Sequence, residues 1–133
     1  MPAWLVLNNE NKLRKPEMLP KQYRLKNKFA FKATYKVKNS SHSGGVTLFA
    51  GILKKEDYPT KVGFVVSKKT HKRAVKRNRL KRLMRESYRI LLKEGKVGNS
   101  QRFMSLVFVG SERALGKNFI EIKTSISKML ERI

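Results

Sequence analysis

The residues G-F-V-V-S-K-K-T-H-K-R-A-V-K-R-N-R-L-K-R-L-M-R-E-S-Y-R, Gly63 to Arg89, carry a strand, a turn and a long helix in unbroken succession. Gly63 to Val66 is a short apolar run, and Ser67-Lys68-Lys69-Thr70 is turn chemistry. Beyond it, Leu80, Leu83, Met84, Ser87, Tyr88 and Leu91 fall at the i, i+3, i+4, i+7 spacing of one buried helix face. The opposite face is basic: Arg77, Lys81 and Arg85 follow at four-residue steps, with Arg79, Arg82 and Arg89 beside them. From Lys68 to Arg89 there are eleven Lys or Arg and one acid, Glu86.

Like charges four residues apart on a helix repel by roughly 0.2–0.5 kcal/mol per pair. A merely solvated face would intersperse Glu to relieve this, and here almost nothing does. A polyanion laid on that face removes the repulsion and releases its own counterions. Arginine outnumbers lysine at the centre, and its fork suits bidentate phosphate contacts. An exposed basic face without a partner is the bland alternative, and the charge density argues against it.

Composition points the same way. The chain has 133 residues, one domain's worth, with a formal net charge of +23 that calls for a polyanionic partner. An apolar fraction of 40% and seven Phe indicate a folded core rather than a disordered basic tail. With no Cys there is no disulfide framework, thiolate zinc site or cysteine nucleophile, which fits a cytoplasmic setting. No apolar run approaches the length of a membrane span.

Outward from the central stretch, residues 1–17 read as a poorly ordered extension, with the domain proper spanning 18–133. The alternative for the apolar segment Ala3 to Leu7 is that Trp4 docks on the sheet or on a partner. Asn27 to Lys38 reads as a short amphipathic helix, with Phe31 and Tyr35 on one face and Lys28 and Lys32 nearby. Asn39 to Gly45 has the composition of a loop or of a turn into a sheet. Val46 to Leu53 alternates as a strand, with Val46, Leu48 and Ala50 facing one way and Thr47 and Phe49 the other. Lys54 to Pro59 is a polar connection to the next strand, Lys61 to Val66, which is expected to be its antiparallel neighbour.

Past the long helix, Glu94 to Ser100 supplies stop chemistry. Met104 to Val109 is apolar at almost every position, as in a central strand covered on both sides. Asn118 to Ile133 places Phe119, Ile122, Ile126, Met129 and Leu130 at helical spacing. The order helix, strands, helix, strand, helix describes helices packed on a small sheet.

At Gly63 to Lys69, Ala74-Val75 and Arg77-Asn78-Arg79-Leu80-Lys81-Arg82, with Arg85-Glu86, the chain resembles bacterial ribonuclease P protein subunits. The likeness extends through Tyr23 to Lys26, Phe31, Tyr35, the strand around Phe49 and Leu106 to Val109. It implies an α/β (α+β) two-layer sandwich, ribosomal protein S5 domain 2-like, ordered α-β-β-β-α-β-α with a left-handed βαβ crossover. A short first strand is then due near Ser40 to Ser43, where the residues themselves read as loop.

The resemblance further implies an accessory subunit of a ribonucleoprotein that removes the 5′ leader from precursor tRNA. The catalytic RNA would perform the hydrolysis, with Mg2+ held mainly by RNA and substrate. One cytoplasmic, monomeric protein would sit in a 1:1 ribonucleoprotein. Lys68, Lys69, Arg73, Arg77, Asn78, Arg79, Lys81, Arg82 and Arg85 would bind the catalytic RNA. Lys28, Phe31, Lys32, Tyr35 and Phe49 would bind the leader, its bases stacking on the rings for roughly 1–3 kcal/mol each. Ordinary core packing is the alternative for these rings. Gly44-Gly45 and the very basic Thr70-His71-Lys72-Arg73 depart from the family pattern.

A protein nuclease needs clustered carboxylates for a metal or a His pair for proton transfer. This chain has one Asp, Asp57, scattered Glu, and two His far apart in sequence, so neither catalytic nor metal-ligating side chains are expected. The rival classes are a structural ribosomal-RNA-binding protein and an RNA chaperone without a fixed partner.

Overall fold

The computed structural model describes Leu19 and residues 21–133; the expected extension and the docking of Trp4 lie outside the described residues. The elements are α1 (Lys28–Lys36), β1 (Asn39–Ser43), β2 (Val46–Ala50), β3 (Lys61–Val65), α2 (Ala74–Lys93), β4 (Ser105–Gly110) and α3 (Phe119–Arg132). Short 3-10 turns occupy Lys21–Tyr23, Ser100–Arg102 and Glu112–Ala114.

The four strands lie in the order β1-β2-β4-β3. β2 is antiparallel to β1 and β4, whereas β3 runs parallel to β4, so β3 is not the neighbour of β2. The expectation of an antiparallel β2–β3 pair is therefore corrected. β4 takes the inner place because Leu106, Val107 and Phe108 are all fully buried and need cover on both faces. β3 carries an exposed Lys61 and a glycine, and its outer edge is met by the N-terminal segment, where Leu25 N–H donates to the Val62 carbonyl at 3.0 Å. β2 also ends earlier than its apolar pattern suggested. Ile52 and Leu53 turn outward, and Leu53 makes only an isolated bridge to Phe103.

Asn39 to Ser43 forms a true strand at the sheet edge, as the family resemblance implied and its polar composition concealed. Gly44 and Gly45 join it to β2 with φ of 57° and 88°, the positive values a two-residue hairpin of this kind requires. That turn accounts for the Gly44-Gly45 pair, since both positions take a backbone conformation that favours glycine.

One sheet face carries Val46, Leu48, Leu106, Phe108 and Val62, sealed by Leu80, Met84, Tyr88 and Leu91 of α2 and by Ile122, Ile126, Met129 and Leu130 of α3. The apolar stripe expected in the long helix is thus the core stripe, with Leu83 only partly buried. α2 stops where Gly95 adopts φ 73° and Lys96 N–H reaches back to the Leu91 carbonyl at 2.9 Å. α3 begins with a reciprocal capping box between Asn118 and Glu121.

The other face is covered by α1 alone. Asn27 caps it, its side chain accepting from Phe29 N–H at 2.8 Å. Thr34 is buried beneath the helix, where its hydroxyl donates to the Ala30 carbonyl and meets Ser105 Oγ of β4 at 2.6 Å. This pin sets the helix rotation. Phe31 and Tyr35 flank it on one side, Ala30 and Ala33 on the other.

Candidate nucleic-acid interface

The turn after β3 and the outer face of α2 form a continuous cationic surface. Lys68, Lys69, Arg73, Asn78, Arg79 and Arg82 are exposed, while Arg77, Lys81 and Arg85 are half-buried. Arg77 folds back on the helix start and donates to the carbonyls of His71 and Lys72 at 2.7 and 2.9 Å. Arg79 reaches the loop before α3, donating to the Leu115 carbonyl at 3.2 Å and the Lys117 carbonyl at 3.4 Å. Both contacts leave further N–H donors on each guanidinium.

Among the described residues only two ion pairs form, Glu86 with Arg89 and Glu94 with Lys123. None of the nine polar residues assigned to this surface takes part in either. Glu86, the one acid on the helix face, is spent on Arg89.

Arg85 has an unusual setting. Its guanidinium lies 6.0 Å from the centroid of Phe64, which stacks on Phe108 at 5.5 Å. Burial, then the nearby positive charges of Arg24 and Arg82, hold its pKa below the ordinary arginine value. Arg24 arrives from the N-terminal segment, where it bridges Val62 and donates to the Leu19 carbonyl. Arg24 falls within the family likeness at Tyr23 to Lys26, but its place beside α2 was not legible, because only the pairing of its segment with β3 brings it there.

On the opposite sheet face, Phe31, Tyr35 and Phe49 converge. Tyr35 stands edge-on to Phe49, ring centroids 4.9 Å apart at an interplanar angle of 87°. Phe31 lies over Gly63, where a built Cβ would come within 2.5 Å of its ring. All three rings are half-buried, so Phe49 is neither fully exposed nor part of the sealed core. Burial raises the Tyr35 pKa, keeping its hydroxyl neutral. Lys28 and Lys32 are exposed on α1 beside these rings, as is Lys36. Above the aromatics, Thr47, Val65 and Val109 leave the sheet face half-open, and two residues past Val65 the basic turn begins. The cleft and the cationic surface are therefore joined through the end of β3.

Fold and surfaces together define a single-sheet α/β protein built to hold RNA. The family model described as Ribonuclease P matches residues 19–133. The ribonuclease P protein component of a Synechococcus strain is 33% identical over 120 residues, covering 86% of this chain and 84% of that protein. That of Clostridium kluyveri is 34% identical over 110 residues, covering 83% and 93%. The chain belongs to the ribonuclease P protein family. Its fold matches the ribonuclease P proteins of Staphylococcus aureus and Thermotoga maritima, each with a TM-score of 0.68 at 24% identity. Both alignments cover 83% of this chain, and 94% and 96% of those chains respectively.

Proposed function

We propose that this chain is the protein subunit of a ribonuclease P ribonucleoprotein, binding a catalytic RNA through α2 and the 5′ leader of precursor tRNA through the α1 cleft. The turn at Lys68 and Lys69 and the side chains of Arg73, Arg77, Asn78, Arg79, Lys81, Arg82 and Arg85 meet RNA phosphates. Each neutralised phosphate releases counterions, which lowers the magnesium the assembly needs. The leader lies against Phe31, Tyr35 and Phe49, with Lys28 and Lys32 on its phosphates.

The chemical step belongs to the RNA subunit, with Mg2+ held mainly by RNA and substrate. Glu56 and Asp57 sit in an exposed connection, and among the described residues no three His, Asp or Glu converge. His71 Nδ1 accepts from Arg73 N–H, and His42 Nδ1 is hydrogen-bonded to Thr47, so both imidazoles have local structural partners. The protein acts as a monomer in a 1:1 complex in the cytoplasm; among the described residues no helix is long and apolar enough to cross a membrane.

The observation that carries this reading is that, among the described residues, none of the cations assigned to the β3–α2 turn and the α2 face pairs with a carboxylate, the one ion pair on that helix being Glu86 with Arg89. Affinity capture of the tagged protein from cells tests it. One abundant structured RNA that cleaves precursor tRNA should co-purify; recovery of ribosomal subunits or mixed RNA would overturn it.

A further inference from the structure

Beneath α1, on the side away from Phe31 and Tyr35, lies a second groove of about 560 Å³. Ala30 and Ala33 roof it, and Ile52, Tyr58 and Met104 wall it. These three wall residues are 55%, 58% and 45% exposed, large apolar surfaces left open to solvent. At the N-terminus of α1 the groove runs into a hollow of about 470 Å³, where Lys21, Lys26 and Lys61 gather with Gln22 and Asn27, and Arg24 lines the wall with its guanidinium engaged by the Leu19 carbonyl. The two spaces share Gln22, Leu25, Ala30 and Lys61, so they are one continuous path. Among the described residues no acid lines either part; Glu56 and Asp57 sit on the exposed turn just before Tyr58.

An apolar wall bearing an open aromatic ring, beside a hollow lined by three lysines, is the chemistry of a nucleotide. An apolar peptide would leave the cations unanswered, and a free anion would leave the wall unused. The hollow also wraps the start of α1, where unpaired N–H groups favour phosphate. Lys28, in the same first turn, belongs to the Phe31 side.

We propose that the single strand held by the Phe31–Tyr35–Phe49 cleft continues round the N-terminus of α1 into this groove. Its distal nucleotides place phosphate against Lys26 and Lys61 and base against Tyr58 and Met104. This rests on the reading of that cleft as the leader site.

The test uses the full-length protein carrying methyl labels on Met, Ile and Val, titrated with a four-nucleotide and a ten-nucleotide single-stranded RNA. The short RNA should shift Val65 and Val109 alone. The long RNA should also shift Met104 and Ile52 and bind about tenfold more tightly. Tyr58→Ala combined with Lys61→Gln, both exposed positions, should abolish that gain while leaving the short RNA's affinity unchanged. If the long RNA shifts Val65 and Val109 but not Met104 and Ile52, the groove assignment falls and the cleft reading stands. If neither RNA shifts Val65 and Val109, the cleft reading falls, and this inference with it. If Met104 and Ile52 instead shift on deletion of residues 1–18 and ignore RNA, the chain's own N-terminal segment is the occupant and the proposal is overturned.

Discussion

Tyr35 and Phe49 meet edge to face across the gap between α1 and β2, 4.9 Å between centroids. Both rings are only half-buried, so the pair keeps surface on which a base could stack. Phe49→Ala should weaken a precursor tRNA carrying a leader by about fivefold or more, from the loss of one stacking contact. Mature tRNA binding should be unchanged. Equal losses for both ligands would show that Phe49 serves packing alone.

Gly63 is the floor under Phe31. A methyl group there would stand 2.5 Å from two atoms of the Phe31 ring, so the ring must move. Gly63→Ala should lower stability by about 1–3 kcal/mol through overpacking and reduce leader affinity together with it. Urea unfolding and leader titration check the two effects. Retained affinity despite the stability loss would separate Phe31 from the leader.

Arg85 pays for its position between Phe64 and two other arginines with lost hydration and like-charge repulsion. Sulfate should therefore raise the melting temperature of the free protein by several degrees through preferential binding to the folded state. In Arg85→Met that rise should shrink, while stability without anions changes by no more than about 1 kcal/mol. An undiminished sulfate response in the variant would place the anion elsewhere.

Tyr88 reports on the core from inside α2. It is fully buried, and Gln101 donates to its hydroxyl at 2.8 Å. Burial raises its pKa above the ordinary 10.0, outweighing the opposing effect of that hydrogen bond. The unfolded chain ionises first, so the contribution is complete below about pH 10 and declines above it by roughly 1.4 kcal/mol per pH unit. Tyr88→Phe should cost about 1 kcal/mol at pH 8 for the lost hydrogen bond. By pH 11 that deficit should vanish or reverse. Parallel denaturation curves at both pH values would contradict the assignment.

The helices were legible because each carries two contrasting faces: the Leu80–Leu91 stripe against arginine in α2, and Ile122 to Leu130 against polar residues in α3. β4 was legible from its unbroken apolar run. Strand order was not, since nothing local in Lys61 to Val65 tells a β2 neighbour from a β4 neighbour. β1 was hidden by Asn39 to Ser43, whose polar side chains suit a half-exposed edge and resemble a loop. At the interface, the aromatic trio could be named from spacing and resemblance. The rotation that brings Phe31 over Gly63 depends on the Thr34–Ser105 contact, 71 residues apart. Arg24 beside Arg85, and the groove under α1, are assembled from segments far apart in the chain and left no sequence pattern.

The central claim is that this protein supplies cations and a cleft to a catalytic RNA and no reactive group of its own. Its most direct test is cleavage of precursor tRNA at low magnesium by ribonuclease P RNA alone, by nuclease-treated protein alone, and by the two combined. Cleavage at the mature 5′ end is expected only from the combination, with the RNA alone recovering as magnesium rises. Cleavage by the RNA-free protein, or indifference of the RNA to its presence, would contradict the account.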